Sequence, residues 1–329
     1  ITGVTLEGAK LNLEQNAAGA KNWDFASAKP AAAAEPEKAG DTKPSSLKQL
    51  AIGRVTVKNT NVNFSKAGAK PIAVENINIA LDGADGSGPL SLNGSVDYQK
   101  QSVQFKLGVE ETRALIAGRA AEVLASVTLP SAVVSFDGVL STKNGPEADG
   151  KFNFTSDNLG ALMAWATGAK PVGSVPKKVS VKSIIALKDA QHVALNDLNF
   201  SADSLSGSGK LAMTLGGAVP AISGDLKLGT VNLNELTDKG TGAPAGAGAP
   251  TTPAAGNTGW SDAPLNLAGL RAVNANLKLA IEKLVSGKLE FTSIITDITM
   301  NGGNAKINLG NLSLYGGAAK GTVNLDGSG

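Results

Sequence analysis

The residues of this chain that could do chemistry are few, and each stands alone. His192, in "KDAQHVALND", is the only histidine of 329 residues. Metal sites and catalytic triads need an imidazole with partners, so a lone one reads as a strand or turn residue. "SGSGK" at 206–210 has the outline of a phosphate loop. Ser204 stands where its first glycine belongs, however, and Leu211 where a magnesium-binding hydroxyl belongs. "LDGADGSG" offers Asp82 and Asp85, with Ala84 at a position that a calcium loop must fill with a ligand, and it reads as a turn. Glu110 and Glu111 are adjacent where a glycosidase needs opposed carboxylates. Asn63, Asn93, Asn153, Asn199 and Asn311 each open an N-x-S/T triplet. In strands whose wet faces are rich in Asn, Ser and Thr such triplets arise by chance. Trp165 is expected to pack on a sheet. The chain has no cysteine, which excludes thiol catalysis, disulfides and cysteine-ligated metals. The expectation is a protein without catalytic residues, metal or cofactor.

Charge points the same way. Thirty Lys and Arg oppose 28 Asp and Glu, for a formal net charge of +2, and aromatic residues make up 4%. Neither an electrostatic footprint nor a stacking platform for nucleic acid is present. No apolar run approaches the roughly 18 residues of a membrane span. The opening "ITGVTLEGAKLNLE" reads as mid-strand, so the natural start, with any membrane anchor, is expected upstream.

What fills the chain is period-two alternation, the mark of strands with one apolar and one polar face. Ile77, Ile79 and Leu81 share a face, as do Val103, Phe105 and Leu107. The same spacing picks out Phe152 and Phe154, then Leu211, Met213 and Leu215, then Leu226 and Leu228. It resumes in Leu277, Leu279 and Ile281, in Leu289 and Phe291, in Ile307 and Leu309, and in Leu312 and Leu314. Gly, Asn and Asp punctuate these runs every 8–14 residues, predicting a long antiparallel meander. Two helices are expected. One is bracketed by Ser156 or Asp157 as N-cap and Gly168 beyond its end; the other lies in "EETRALIAGRAAEVL", with Leu115, Ile116, Arg119, Ala120, Val123 and Leu124 on one side. Two stretches rich in Pro, Ala and Gly, 29–46 and 237–259, read as linkers. They divide the chain into 1–28, the end of an upstream β-repeat, a central block 47–236, and a C-terminal repeat 260–329.

Two short helices cannot cover some fifteen strands. The apolar face needs a second sheet, its own curvature, or a ligand. At strand spacings of about 4.8 Å, fifteen strands in one sheet make a surface about 70 Å long. A sheet curled along its strands would hold acyl chains about as deep as one leaflet's roughly 15 Å of hydrocarbon.

Four phrases, in order, resemble the AsmA-like proteins of Gram-negative envelopes. They are "NAAGAKNWDF"; "LAIGRVTVKNTNVNF" with "VENINIALDG"; the block from "DNLGALMAWATGAKP" to "LGTVNLNEL"; and "GWSDAPLNLAGLRAVNANLKLAIEKL" with "NLSLYGGAAKGTVNLD". Trp260–Asp262 and Tyr315-Gly316-Gly317 are their most specific pieces. The resemblance implies an all-β, elongated, twisted, taco-shaped groove with an apolar lumen. It places that groove in the periplasm, behind an N-terminal inner-membrane helix that this fragment lacks. It implies a role in phospholipid transfer between inner and outer membranes and in outer-membrane homeostasis, with phospholipid or another acyl-chain lipid, the two membranes and other envelope proteins as partners. The competing expectations are a scaffold or chaperone for outer-membrane protein assembly, and a closed β-sandwich or solenoid such as an adhesin or a carbohydrate-active enzyme.

The linkers give the first prediction. Backbone without a ladder to join is open to protease, so trypsin should cut first within 29–43 and at Lys239. Cleavage no faster there than within the strands would overturn the division.

Overall fold

The structure, a computed structural model, describes residues 3–24, 53–85, 88–143, 145–171, 175–238 and 268–327. The expected linker 29–46, residues 239–259 of the second linker and the Trp260–Asp262 motif lie outside the described residues. The chain is all-β and forms two compact units, residues 1–143 and 144–329.

The first unit holds strands β1 (Gly3–Glu7), β2 (Lys10–Gln15), β3 (Arg54–Lys66), β4 (Ile72–Asp82), β5 (Leu90–Tyr98) and β6 (Gln101–Val109), then helix α1 (Thr112–Ile116) and strands β7 (Ala121–Leu129) and β8 (Ala132–Ser141). From β3 to β8 each strand pairs antiparallel with the next. β1 and β2 are two halves of one edge: β1 runs parallel to residues 54–58 of β3 and β2 parallel to 61–66. They break at Gly8, whose φ of 65° suits glycine and whose N–H donates to the Lys58 carbonyl.

The second unit holds β9 (Glu147–Ser156), α2 (Leu159–Thr167), β10 (Val179–Leu187), β11 (His192–Ala202), β12 (Leu205–Thr214), β13 (Ala221–Asn232), α3 (Leu233–Asp238), a 3-10 turn (Ala268–Arg271), β14 (Asn274–Ser286), β15 (Leu289–Asn301), β16 (Asn304–Leu314) and β17 (Gly317–Asp326). The strands pair in chain order, all antiparallel except β13 with β14.

The expected wholly antiparallel meander is therefore corrected to a mixed one. The reason lies in the connections. A tight turn reverses the chain, whereas a parallel neighbour needs a return of a dozen residues or more. The parallel pairings fall where the chain between consecutive strands is long: residues 16–53 before β3 and 233–273 before β14.

The helices also differ from expectation. α2 is capped by Asn158, whose Oδ1 accepts the Ala161 N–H at 3.0 Å, and not by Ser156, which ends β9, or by Asp157. It ends at Gly168 with φ 71°, as the sequence signalled. α1 lasts one turn, and Val123 and Leu124 belong to β7. Gly118 at φ 76° stops the helix before the second half of the expected apolar stripe.

Four strands carry a residue other than glycine at positive φ inside their span: Asn59 in β3, Asn76 in β4, Asp197 in β11 and Ser293 in β15. Each sits at a shift of register. Such bulges bend and twist a strand. In three of the four the residue that follows is buried: Thr60 is 2% exposed, Leu198 3% and Ile294 4%, while Ile77 after Asn76 is half-buried. In β3 and β4 the two bulges close on each other. The Asn59 N–H donates to Asn78 Oδ1 at 3.1 Å, and the Asn76 N–H to Asn61 Oδ1 at 2.9 Å. Asn and Asp tolerate left-handed backbone better than other side-chain-bearing residues, and the flanking asparagines satisfy the amides that the bulge frees.

Asn61→Ala and Asn78→Ala should each cost about 1 kcal/mol, read as a lowered midpoint in urea unfolding of the chain. Asn59→Gly, which keeps the left-handed backbone, should be near neutral, while Asn59→Val should be the most damaging of the four. Indifference to Asn59→Val would mean that the bulge does not hold the bend.

Candidate functional site

Cross-strand registers place apolar residues opposite one another from edge to edge. In the first unit Val4, Val55, Leu81, Leu92, Leu107, Ala125 and Phe136 are successive register partners. The neighbouring row is Leu6, Val57, Ile79, Gly94, Phe105, Val127 and Val134. Directly paired residues lie on the same face of a sheet, so both rows line one face, and Ile77 and Val103 belong to it by their registers with Thr60 and Val96.

The second unit repeats the arrangement over nine strands. One row runs Gly150, Ile185, Leu195, Leu211, Gly224, Leu277, Ile298, Ile307, Val323. The next runs Ala148, Leu187, Val193, Met213, Ile222, Ala275, Met300, Ala305, Leu325. Phe154 and Leu228 share a third row with Phe200, Gly207, Ile281 and Ile294, while Leu226, Leu279 and Leu309 share a fourth. Phe152 faces the same way two residues from Phe154.

Glycines in these rows are covered by their partners. A Cβ on Gly94 would lie 2.6 Å from the Phe105 ring, and one on Gly207 2.6 Å from the Phe200 ring. An aromatic laid over a cross-strand glycine flattens the face and pins the register.

The bulge in β16 preserves the pattern. Leu309 pairs with Gly321 and Leu312 with Ala319, so Leu312 and Leu314 return to the face of Ile307 and Leu309 despite the odd spacing. Two expected sites fit less simply. Leu215 lies one residue past β12 and is 52% exposed, outside any strand. Leu289 and Phe291 lie beyond the interruption at Ser293; Phe291 pairs with Leu284, and Leu289 sits at the turn, 41% exposed. The residues that the sequence reading missed, such as Val181, Ile185, Leu195 and Phe200, carry the same alternation. The bulge at Asp197 inverts its phase, and only the register resolves it.

Little covers these faces. Among the described residues, eight apolar side chains are buried, and most of the rest of the rows are half-buried, with Val4, Leu6 and Val323 exposed at the edges. Each strand packs chiefly on its ladder neighbours. α1 touches β7, α3 touches β14, and the 3-10 turn touches β15 and β16. At its α1 end the first unit has a small core of Val109, Ala121 and Val123, joined by Leu115 and Phe136.

The opposite faces are mostly polar, although Leu124, Val133, Val139, Ile184 and Ile295 are exposed there. In the second unit Lys210, Asp225, Lys278, Asp297, Asn308 and Thr322 are successive partners, an alternating ladder of charge and amide. Lys210 Nζ lies 3.0 Å from Asp225 Oδ2. A cleft of about 590 Å³ opens beside this ladder and includes Asn199, Lys210, Asp225, Lys227 and Lys278.

The side chains that could do chemistry are dispersed. The "SGSGK" residues are part of β12 itself. The Glu111 carboxylate accepts the Glu122 N–H at 3.3 Å, and Glu122 extends into β7. His192 opens β11, and its Nδ1 lies 2.8 Å from the Asp189 carboxylate across a turn. That contact, with the Gln191 and His192 backbone N–H groups, holds the Asp189 carboxyl below the usual carboxylate range. No group of three His, Cys, Asp or Glu able to hold a metal is found among the described residues, and no helix among them is long and apolar enough to cross a membrane. Comparison with protein-family models, with curated proteins and with solved structures gives no match.

The His192–Asp189 pair reads as a turn fastener. A depressed folded-state pKa stabilises above the unfolded value and ceases to do so as pH falls through the folded one, so the contribution of the Asp189 carboxylate should fall away on the acid side, below about pH 4. His192→Ala should raise the Asp189 titration midpoint in carboxyl NMR and leave ligand binding unchanged. An unmoved midpoint would assign the shift to the backbone amides alone.

Proposed function

We propose that the apolar faces bind lipid acyl chains, and that the chain is a lipid-binding β-sheet of the AsmA-like kind, acting in phospholipid transfer between the inner and outer membranes of a Gram-negative envelope. The observation that carries this reading is the edge-to-edge run of apolar register partners within each unit, with no second layer across it among the described residues. Burial against protein would normally stabilise such a surface by about 25 cal/mol per Å². With that cover missing, the surface is a site for apolar ligand, and a methylene moved onto it from water gains about 0.8 kcal/mol. Acyl chains have no directional groups, so the reading requires no catalytic residue and no cofactor. It also accounts for a binding surface made of Val, Ile, Leu and Phe in place of a compact motif. Location in the periplasm, behind an N-terminal inner-membrane anchor, belongs to the same proposal.

The test uses the two faces of β14. Leu279 lies in an apolar row between Leu226 and Thr296, while Lys278 lies in the charge ladder between Asp225 and Asp297. Leu279→Asp puts a carboxylate against hydrocarbon, where it costs several kcal/mol or takes up a proton. Lys278→Gln removes one wet-face charge; an acid there would join two others, which makes glutamine the better control. Mass spectrometry of organic extracts from detergent-free protein should find phospholipid in the parent and in Lys278→Gln, and much less in Leu279→Asp. The Leu279→Asp chain should keep its β circular dichroism, because an uncovered face lets the carboxylate reach water. Lipid-free parent protein, or equal lipid in both variants, would overturn the proposal.

A further inference from the structure

Helix α2 contains Leu159, Leu162, Met163 and Trp165 among glycine, alanine and one threonine, and has no charged side chain. A helix apolar on all sides belongs in a protein core or in lipid. None of its residues is buried; Ala161, Met163 and Ala166 are exposed, Met163 at 39%. It is nevertheless well built. Asn158 caps its start, the Leu159 N–H donates to the Lys177 carbonyl at 2.9 Å, and the Gly168 N–H to the Ala164 carbonyl at 2.9 Å. The return strand is fixed too, since the Asp203 carboxylate accepts the Lys177 and Lys178 N–H groups at 3.0 and 2.8 Å. An ordered apolar helix is thus held out at the rim where β9 ends and β10 begins.

The charges beside it select an occupant. Lys170, Lys177 and Lys178 are exposed along the connection, against Asp157 at its start and Asp203 on the Lys177 and Lys178 amides, a balance of three positive to two negative. A helix with a Trp and apolar side chains, flanked by lysines, is suited to lie in the headgroup region of an anionic bilayer. We infer that α2 is a membrane-docking element, which seats the rim of the second unit on an anionic lipid surface. This inference does not rest on acyl chains lining the apolar faces, since the helix could dock whether or not those faces hold lipid.

The probe is a set of extruded vesicles of phosphatidylethanolamine and phosphatidylglycerol at 3:1, with the full chain. The parent should co-sediment with them. Met163→Asp should abolish binding, with unfolding unchanged because the site is exposed. Lys170→Gln and Lys178→Gln should each weaken it about fivefold, the worth of one lysine near an anionic surface. Because the chain lacks cysteine, Met163→Cys can carry a single environment-sensitive nitrobenzoxadiazole dye. Its emission should shift to the blue when vesicles are added, and the same dye at Lys278→Cys should not respond. The inference is overturned if the parent ignores vesicles, if Met163→Asp binds as well as the parent, or if the dye at 163 shifts with protein concentration alone, which would make a second copy the occupant. Met163→Asp that still co-purifies with phospholipid would separate docking from acyl-chain binding.

Discussion

Everything in this chain depends on register. A strand's side chains alternate with a period of two, so a slip of one residue would turn an apolar row to water and a polar row to the opposite side. Nine strands in the second unit hold Ile185, Leu211, Leu277, Ile298 and Ile307 in one line, and Lys210, Asp225, Lys278 and Asp297 in another. The polar line enforces the apolar one. A slipped β14 would bring Lys278 out from between its two acids while placing Leu277 in water. Phe105 over Gly94 and Phe200 over Gly207 add a shape-based lock, since each ring fits where a neighbour has no Cβ.

The bulges seem at first to endanger that register, yet they keep it. Val57 pairs with Ile79, and after Asn59 the partners become Thr60 and Ile77; both strands then regain phase at Val62 and Val74. Each strand gains one residue, at Asn59 and Asn76, and their asparagine neighbours bond across the gap. Paired bulges bend two strands at the same level without exposing the apolar row beyond. A bend shared by adjacent strands gives a sheet curvature, the device by which a single layer shelters its own apolar face in part.

Much of this was legible in sequence. Period-two runs located nearly every strand and the correct face of Ile77, Phe105, Leu211, Leu277 and Ile307. Gly168 located the end of α2. The bulges were not legible, because "NTN", "NIN" and "NDLN" read equally as polar positions of an unbroken strand. A left-handed residue changes phase through one dihedral angle, which composition does not record. The parallel pairings were hidden for a different reason: hydrophobic pattern fixes the face of a strand and leaves the direction of its neighbour open. Connection length was the available signal, and all three parallel pairings, of β1 and β2 with β3 and of β13 with β14, span the long Pro- and Ala-containing stretches.

An open apolar face also raises the question of what it selects. Exposed patches of more than a few hundred Å² on one protein usually mark an interaction site. Two features here limit promiscuity. The apolar side chains shield one another along the rows, leaving most half-buried, and each apolar row has a polar row on the opposite side of the same strands. A flat protein partner would need to match rows that are uniform in chemistry and bent at the bulges. A flexible chain of methylenes conforms to such a surface without matching it, and its headgroup can stay at the rim in water. If the proposed lipid reading holds, apolar rows without a charged interruption suit a ligand that can slide. Along the row from Gly150 to Val323 every partner is a glycine or an aliphatic residue, so under the proposed reading no charged group of the row would stop the ligand.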